Sequence, residues 1–209
     1  MIGGGYRLNA QCPVCKSTDR ERLLYLYLSK RTDVFKDRVK LLHVAPEPGL
    51  SACFKNSLNI DYLTADISSS EVMVKMDITD IGYPDGSFDI IICNHVLEHI
   101  IDDIKAMREL CRVLKPGGWG ILQVPISLVL EQTFEDFSVT EPAAREEVFG
   151  QSDHVRIYAM DYVERLNRSG FAVKLFNWWE DPELVGVDNR YGLLQDESLF
   201  LVTKPAVES

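Results

Sequence analysis

Short apolar runs alternate with helical patterns along most of the 209-residue chain. Val39–Val44 and Ile90–Cys93 are rich in aliphatic residues, which is typical of strands buried on both faces. After the second run, Ile101–Leu114 repeats apolar residues at intervals of three or four, as an amphipathic helix does. This alternation predicts a doubly wound α/β fold whose sheet is mostly parallel and carries helices on both faces.

Local signals predict further elements. Thr18 and Glu21 form a capping-box pattern that begins a predicted helix over Asp19–Ser29. The remaining predicted helices and strands cover 50–57, 62–65, 119–124, 161–166, 171–176 and 198–202. We therefore expect an N-terminal segment, residues 1–38, that packs over a ligand site, and a main domain over residues 39–209.

The turn after the first strand is the most informative stretch. Ala45–Gly49 contains two prolines and a glycine, which end the strand, and a short helix follows. The next strand ends at Asp66, which follows Ala45 by 21 positions. This is close to the spacing at which nucleotide-binding α/β units place an acid on the ribose hydroxyls.

Glu47 stands in this turn where a dinucleotide-binding loop would have glycine. A carboxylate repels a pyrophosphate, so Glu47 argues against NAD or FAD. It favours a cationic ligand without phosphate, such as S-adenosylmethionine. The alternative is that Glu47 is a solvated loop residue.

Several polar residues follow predicted strands of the same sheet. Parallel strands bring their carboxyl ends to one edge, where ligands bind in such folds. We therefore expect one site to be built from Ala45–Gly49, Asp66, Asp77, Asn94, His95 and Pro125.

Composition limits the partners. The net charge is −10 and no basic patch is apparent, so we expect no nucleic-acid partner. No apolar run reaches 18 residues, and Met1–Gly5 lacks the features of a signal peptide, so we expect a cytoplasmic protein without membrane contact. The expected partner is a small molecule or a peptide, and we favour a monomer.

Five cysteines are present. Cys12 and Cys15 form half of a zinc knuckle, but a closed site needs two more ligands. His43 and His154 are conceivable ligands. We favour a small turn that packs as a lid, and we assign no metal site. Reduced core thiols are expected at Cys53, Cys93 and Cys111.

The chain from about Val39 to Lys204 resembles the class I S-adenosylmethionine-dependent methyltransferases, in particular their type-11-like branch. The turn is then a His-Val-Ala-Pro-Glu variant of the family's first motif. The segments that carry the resemblance are Leu42–Gly49, Asp66, Met76–Ile78, Phe88–Ile91, Val96–His99 and Arg112–Gly118.

The resemblance implies about seven strands, with an antiparallel last strand beside the fifth. It also implies that Asp66 holds the ribose, Asp77 the adenine amino group, and that His95 lies near the sulfonium methyl. Glu98 and His99 are expected to serve as a helix cap and in packing. The cofactor-binding residues expected on this basis are Ala45, Glu47, Gly49, Asp66, Ile67, Asp77, Ile78, Asn94 and His95.

Residues 127–156 interrupt the strand–helix alternation with aromatic and acidic residues, among them Phe134, Phe137 and Phe149. An insertion after a strand end is a natural place for an acceptor-binding lid, and a plain surface helix is the alternative.

Methyl transfer to a hydroxyl or an amine needs a general base, for which His95 and His154 are candidates. A carboxylate acceptor needs a cationic clamp, for which Arg156 and Arg190 are candidates, although Arg156 could instead form a structural ion pair. We expect O-methylation of a carboxylate or hydroxyl on a peptide or small molecule. The residues expected to bind the acceptor are Tyr158, Arg190, Phe137 and Trp178.

Other functions remain open at this point. An N-methyltransferase would use the same histidines as general base, and a regulatory module would bind the cofactor without catalysis. A nicotinamide-dependent oxidoreductase is disfavoured by the missing glycines, and a zinc-ribbon interaction protein by the missing ligands.

Overall fold

The computed structural model describes residues 10–185 and 189–206, so residues 1–9 of the predicted N-terminal segment lie outside the described residues. The strands are β1 (Val39–Val44), β2 (Ile60–Asp66), β3 (Val74–Lys75), β4 (Phe88–Asn94), β5 (Leu114–Gln123), β6 (Phe134–Glu135), β7 (Arg156–Ile157), β8 (Ala172–Asn177) and β9 (Ser198–Thr203). The helices are α1 (Asp19–Arg31), α2 (Pro48–Lys55), α3 (Asp103–Val113), α4 (Pro142–Phe149), α5 (Tyr162–Arg168) and α6 (Pro182–Val185).

Seven strands form one sheet in the order β3-β2-β1-β4-β5-β9-β8. The first five are parallel, while β9 pairs antiparallel with both β5 and β8. This confirms the predicted mixed sheet, including the antiparallel last strand beside the fifth. The direction of winding reverses between β1 and β4, so the carboxyl ends of these two strands flank the switch point of the sheet.

The central strands are buried because their side chains meet a separate apolar layer on each face. Leu42 and Ile91 belong to the cluster that includes α3, whereas Leu41 and Ile92 belong to the cluster that includes α1 and α2. Successive strand residues therefore enter opposite layers, as a pleated strand requires. This explains why Ile90–Cys93 is apolar without interruption.

Backbone contact is close where β5 joins the sheet. A Cβ added at Gly120 would lie 2.5 Å from the carbonyl oxygen of Ile91 on β4. Any larger residue would push the two strands apart. The predicted strand over 119–124 is thus confirmed, and it is longer than expected because Leu114 already pairs with Phe88.

The capping box predicted for α1 is present. The Thr18 hydroxyl accepts from the Glu21 backbone N–H at 3.2 Å, and the Glu21 carboxylate accepts from the Thr18 N–H at 2.8 Å. The helix then extends one half-turn beyond the predicted end, to Arg31. Lys30 and Arg31 in its last turn complement the helix dipole.

The insertion at 127–156 contains α4 and is fixed to the body by the small β6–β7 sheet. It contributes several residues to the cavity described below, among them Leu128, Phe149 and His154. Among the described residues, no helix is both long and apolar enough to cross a membrane.

Candidate functional site

A cavity of about 1160 Å³ opens at the carboxyl ends of β1, β4 and β5. Its walls come from four parts of the chain: the start of α1 with the residues before it, the ends of the central strands, the insertion with the residues just after it, and the segment that leads into β9. Charged and imidazole side chains lining it include Glu21, Glu47, His95, Glu98, His154 and Glu197. The volume is that of a small-molecule site.

Glu47 links β1 and β4 at the switch point of the sheet by hydrogen bonds to a side chain from each strand. Its Oε2 accepts from His43 Nε2 at 2.6 Å, and its Oε1 accepts from Asn94 Nδ2 at 2.9 Å. Burial alone would raise the pKa of Glu47, but the hydrogen bonds from His43 and Asn94 outweigh it and hold the pKa below its ordinary value of 4.5. Glu47 is therefore an ionised, positioned carboxylate and not a solvated loop residue.

The residues that directly follow β1 and β4 both have a left-handed backbone conformation. Ala45 has φ +46° at the end of β1, and His95 has φ +56° at the end of β4. Residues other than glycine rarely adopt this conformation, and when they do the strain is held by the surrounding fold. Here Ala45 N–H donates to Ala65 and His95 N–H donates to Gln123, each at 2.8 Å.

Asn94 and His95 have side-chain groups that remain available to a ligand. Asn94 is buried, and its Oδ1 has no hydrogen-bond partner. The His95 ring is 26% exposed on the cavity wall, and its Nδ1 lies 3.4 Å from Glu98 Oε1. The ring is thus oriented by a carboxylate on one side and open to the cavity.

The second strand end carries Asp66. Its Oδ1 accepts from the N–H groups of Ser68 and Ser69 and from the Ser68 hydroxyl. Burial would raise the pKa of Asp66, but these hydrogen bonds outweigh it and lower the pKa. One oxygen is fixed by the turn, which orients the carboxylate, while Ile67 beside it is 65% exposed.

Asp77 and Ile78 follow β3, and their environments differ. Asp77 is exposed, and its Oδ1 accepts from the N–H and hydroxyl of Thr79. Ile78 is only 3% exposed and packs in the core. The structure therefore places Asp77 where a ligand can reach it, and the Ile78 side chain away from the surface.

Gly49 connects the turn to α1. Its N–H donates to Glu21 Oε1 at 3.2 Å, and a Cβ at this position would lie 2.9 Å from that oxygen. The N-terminal segment is thereby tied to the turn, and its residues Ala10, Gln11 and Thr18 line the cavity.

Arg156 lies at the cavity edge, but its guanidinium is fully buried and engaged. It donates to the carbonyl oxygens of Leu97, Ile100 and Ile101, and to Glu135. These contacts match the alternative in which Arg156 forms a structural ion pair. They occupy the guanidinium, so it is not available to bind a carboxylate acceptor.

The structure does not bring the four expected acceptor-binding residues together. Tyr158 is fully buried and donates to Asp103, and Trp178 is a core residue whose Nε1 donates to Leu194. Phe137 packs against the buried Arg156, and Arg190 donates to the neighbouring Tyr191 hydroxyl. None of the four is among the residues that line the cavity, which departs from the expectation.

His154 reaches the cavity together with a residue that the sequence assigned to capping. The N-cap of α3 is Asp102, whereas Glu98 and His99 belong to a separate 3-10 turn, Leu97–His99. Glu98 lines the cavity and is 2% exposed. Its spacing of three from His95, directly after a buried strand, is a sequence signal that could have identified it.

Cys12 and Cys15 lie in a tight exposed turn before α1. Within residues 10–185 and 189–206, they belong to no group of three potential ligands close enough to hold a metal. Hydrogen bonding to Ser17 lowers the pKa of the Cys15 thiol from 9.0 to about 7.

A family model described as "Methyltransferase domain" matches residues 41–122, from β1 to the end of β5. The chain is 34% identical over 68 residues to the ubiquinone/menaquinone biosynthesis C-methyltransferase UbiE of Idiomarina loihiensis, covering 31% of this chain and 27% of that protein. It is 27% identical over 123 residues to the ajmaline N-methyltransferase of Rauvolfia serpentina, covering 57% of this chain and 36% of that protein. The chain thus spans about a third or less of the length of these curated relatives.

Among solved structures, an S-adenosylmethionine-dependent methyltransferase from Mesorhizobium loti is similar over 90% of this chain and 99% of its own, with a TM-score of 0.59. Sequence identity is 14%, so this similarity concerns the fold.

Proposed function

We propose that the chain transfers the methyl group of S-adenosylmethionine to a hydroxyl oxygen of a small molecule or peptide held in the cavity. The observation that carries the proposal is the arrangement at the switch point. Glu47 and Asn94 meet across it, and His95 follows on the cavity wall.

The residues at this edge of the sheet fit S-adenosylmethionine. Glu47 is an ionised carboxylate, and Asn94 Oδ1 is a buried acceptor without a partner. Together they suit the ammonium of the cofactor's methionine part, which donates to both. The bound cofactor supplies a methyl group on a sulfonium, which is open to displacement by a nucleophile.

The other binding roles follow the strand ends. Asp66 is oriented by Ser68 and Ser69, which favours hydrogen bonds from both ribose hydroxyls to its second oxygen. Asp77 is exposed beside it for the adenine amino group, and Ile67 offers an apolar surface to the base. Ala45 and Gly49 would contribute backbone to the methionine part.

A hydroxyl acceptor fits the cavity better than a carboxylate. A carboxylate needs a cationic clamp, but Arg156 is committed to Glu135 and to three carbonyl groups. A hydroxyl needs a base, and His95 faces the cavity with Glu98 behind it. His95 would take the proton of the attacking hydroxyl as the methyl group leaves sulfur for oxygen, and Glu98 would stabilise the imidazolium.

An amine acceptor is the second candidate. The acidic lining of the cavity, with Glu21, Asp196 and Glu197, favours a cationic group. The amine must still lose a proton before it attacks, so the same His95 would serve. The residues proposed to hold the cofactor are the same for a hydroxyl acceptor and for an amine acceptor.

The test uses S-adenosylmethionine with a deuterated methyl group and a matched set of phenols, alcohols, carboxylic acids and primary amines. We expect label on oxygen of a hydroxyl compound, and His95→Gln should lower the rate by about 100-fold or more, as expected for loss of a general base. Cofactor affinity should stay near that of the wild type, and the exposed variant Lys174→Gln should behave as the wild type. Label on carboxylates, or full activity of His95→Gln, would contradict the proposal.

A further inference from the structure

Three potential metal ligands converge beside the cavity. Ligand atoms of Glu98, His99 and His154 all lie within 4.8 Å of one another. The 3-10 turn after β4 carries the first two, and a backbone hydrogen bond from Val155 N–H to the Glu98 carbonyl brings the third alongside at 3.0 Å. The rings of His99 and His154 meet edge to face with centroids 4.7 Å apart.

The Glu98 carboxylate supplies an independent observation. Its side chain is 2% exposed, Oε1 lies 3.4 Å from His95 Nδ1, and Oε2 is buried without a hydrogen-bond partner. A buried carboxylate oxygen without a partner costs free energy, because it has left water and gained nothing in exchange. A cation bound beside this oxygen would remove that cost.

We propose that Glu98, His99 and His154 bind a divalent transition-metal ion, with zinc as the ion that the donor set fits best. Two imidazole nitrogens and one carboxylate oxygen are typical of zinc sites that keep a fourth position open. The same donors disfavour Mg²⁺, which prefers oxygen ligands and retains its water.

The site requires a small contraction on binding. Ligand atoms about 2.1 Å from a tetrahedral zinc lie about 3.4 Å from one another. The His99 ring is 29% exposed and belongs to a three-residue turn, so it can approach the other two without repacking the core. Its Nδ1 lies 3.3 Å from Asp153, whose carboxylate can orient the ring in the manner of an outer-shell partner.

The open position would face the cavity, because Glu98 and His154 both line it. A bound zinc there would act as a Lewis acid on an oxygen of the acceptor and lower the pKa of its hydroxyl. This consequence rests on the proposed function, whereas the metal site itself does not.

The test is zinc binding to the full chain after treatment with a chelator. Calorimetric titration with Zn²⁺ should show one site, and Mg²⁺ should show none. Glu98→Gln, His99→Gln and His154→Gln should each weaken zinc binding at least 100-fold, since loss even of outer-shell partners costs about 10- to 100-fold. Co²⁺ should give a visible absorption band that disappears in the same variants.

The double variant Cys12→Ser/Cys15→Ser is the matched control, because these free thiols are potential zinc ligands outside the proposed site. It should retain the site. Unchanged zinc binding in the His99→Gln variant, which alters a partly exposed side chain, would overturn the proposal. So would loss of binding in the cysteine variant, or absence of binding to the wild type. Binding of S-adenosylmethionine is measured separately, so failure of the metal site and failure of the proposed function are distinguishable.

Discussion

Glu47 occupies the position where a glycine-rich turn would otherwise contact the ligand, and its neighbours explain how a carboxylate is accommodated there. His43 is fully buried on β1 and donates to Glu47, while the Tyr62 hydroxyl lies 2.9 Å from the other ring nitrogen. Asn94 supplies the second bond from β4. Glu47, His43, Tyr62 and Asn94 therefore form one connected hydrogen-bond network across the switch point.

Replacing Glu47 by Gln should reveal this network through the pH dependence of stability. The pKa of Glu47 is lower in the folded protein than its ordinary value of 4.5, so its ionised form stabilises the fold above that pH. The variant should lose about 1–2 kcal/mol of unfolding free energy at pH 7, the difference between charged and neutral hydrogen bonds. The loss should vanish as the pH falls through the folded pKa, where the wild type is protonated too.

The measurement is urea unfolding of both proteins between pH 7 and pH 3. The surface variant Glu164→Gln on α5 serves as control, because its partner Arg168 is also exposed. A stability difference between wild type and Glu47→Gln that stays constant over this pH range would contradict the assignment.

The surroundings of individual side chains were harder to predict from the sequence than the helices and strands. The positions of Asp66 and Asn94 followed from strand ends, because parallel strands share one edge. By contrast, Tyr158 and Trp178 lie in segments where polar and aromatic residues alternate, and nothing local distinguishes a buried hydroxyl from one that faces a ligand. Glu98 was expected to cap a helix, and its position beside His154 is a tertiary contact that no local pattern shows.

At the level of elements, the longer strands and most helices followed from the hydrophobic pattern, since each buries a regular face, whereas the two-residue strands β3, β6 and β7 carry no such pattern. The boundaries of β5 could not be predicted from its apolar run, because Leu114 pairs with Phe88 across a bulge. The insertion likewise showed no periodicity of its own. It is held by the β6–β7 pair and by Arg156, which are tertiary contacts.

Arg156 fixes the insertion to the turn after β4, and Arg156→Lys should show this. Lysine cannot donate to three carbonyl groups and a carboxylate in one plane. We expect a loss of about 2 kcal/mol or more in unfolding free energy, since hydrogen bonds to charged groups contribute about 1.5–3 kcal/mol each. The affinity for S-adenosylmethionine should change little.

Chemical denaturation compares this variant with Arg168→Lys, which alters an exposed arginine paired with Glu164. Equal unfolding free energies of the two variants, combined with a raised Michaelis constant for a carboxylate acceptor in Arg156→Lys, would restore the acceptor clamp that the sequence suggested.

In the whole molecule, the part that matches the methyltransferase family model is one continuous stretch of the chain. The matched family region, residues 41–122, contains the strand ends that carry Glu47, Asp66 and Asn94. The cavity walls outside it come mainly from the start of α1, from the insertion and from the segment that leads into β9. The family resemblance therefore bears on the cofactor, and the acceptor must be sought from the walls that lie outside the match.

The central claim is that the carboxyl edge of the sheet binds S-adenosylmethionine. The most direct measurement is calorimetric titration of the protein with this cofactor, with its demethylated product S-adenosylhomocysteine, and with NAD. We predict binding of both sulfur compounds and none of NAD. Asp66→Asn should weaken binding roughly 10- to 100-fold, as expected when charge-assisted hydrogen bonds worth about 1.5–3 kcal/mol are lost.

Asp61→Asn is the matched control, since Asp61 lies exposed on the same strand, β2, away from its carboxyl end. It should bind as the wild type does. Absence of binding by both sulfur compounds, or equal affinity of Asp66→Asn and Asp61→Asn, would contradict the account.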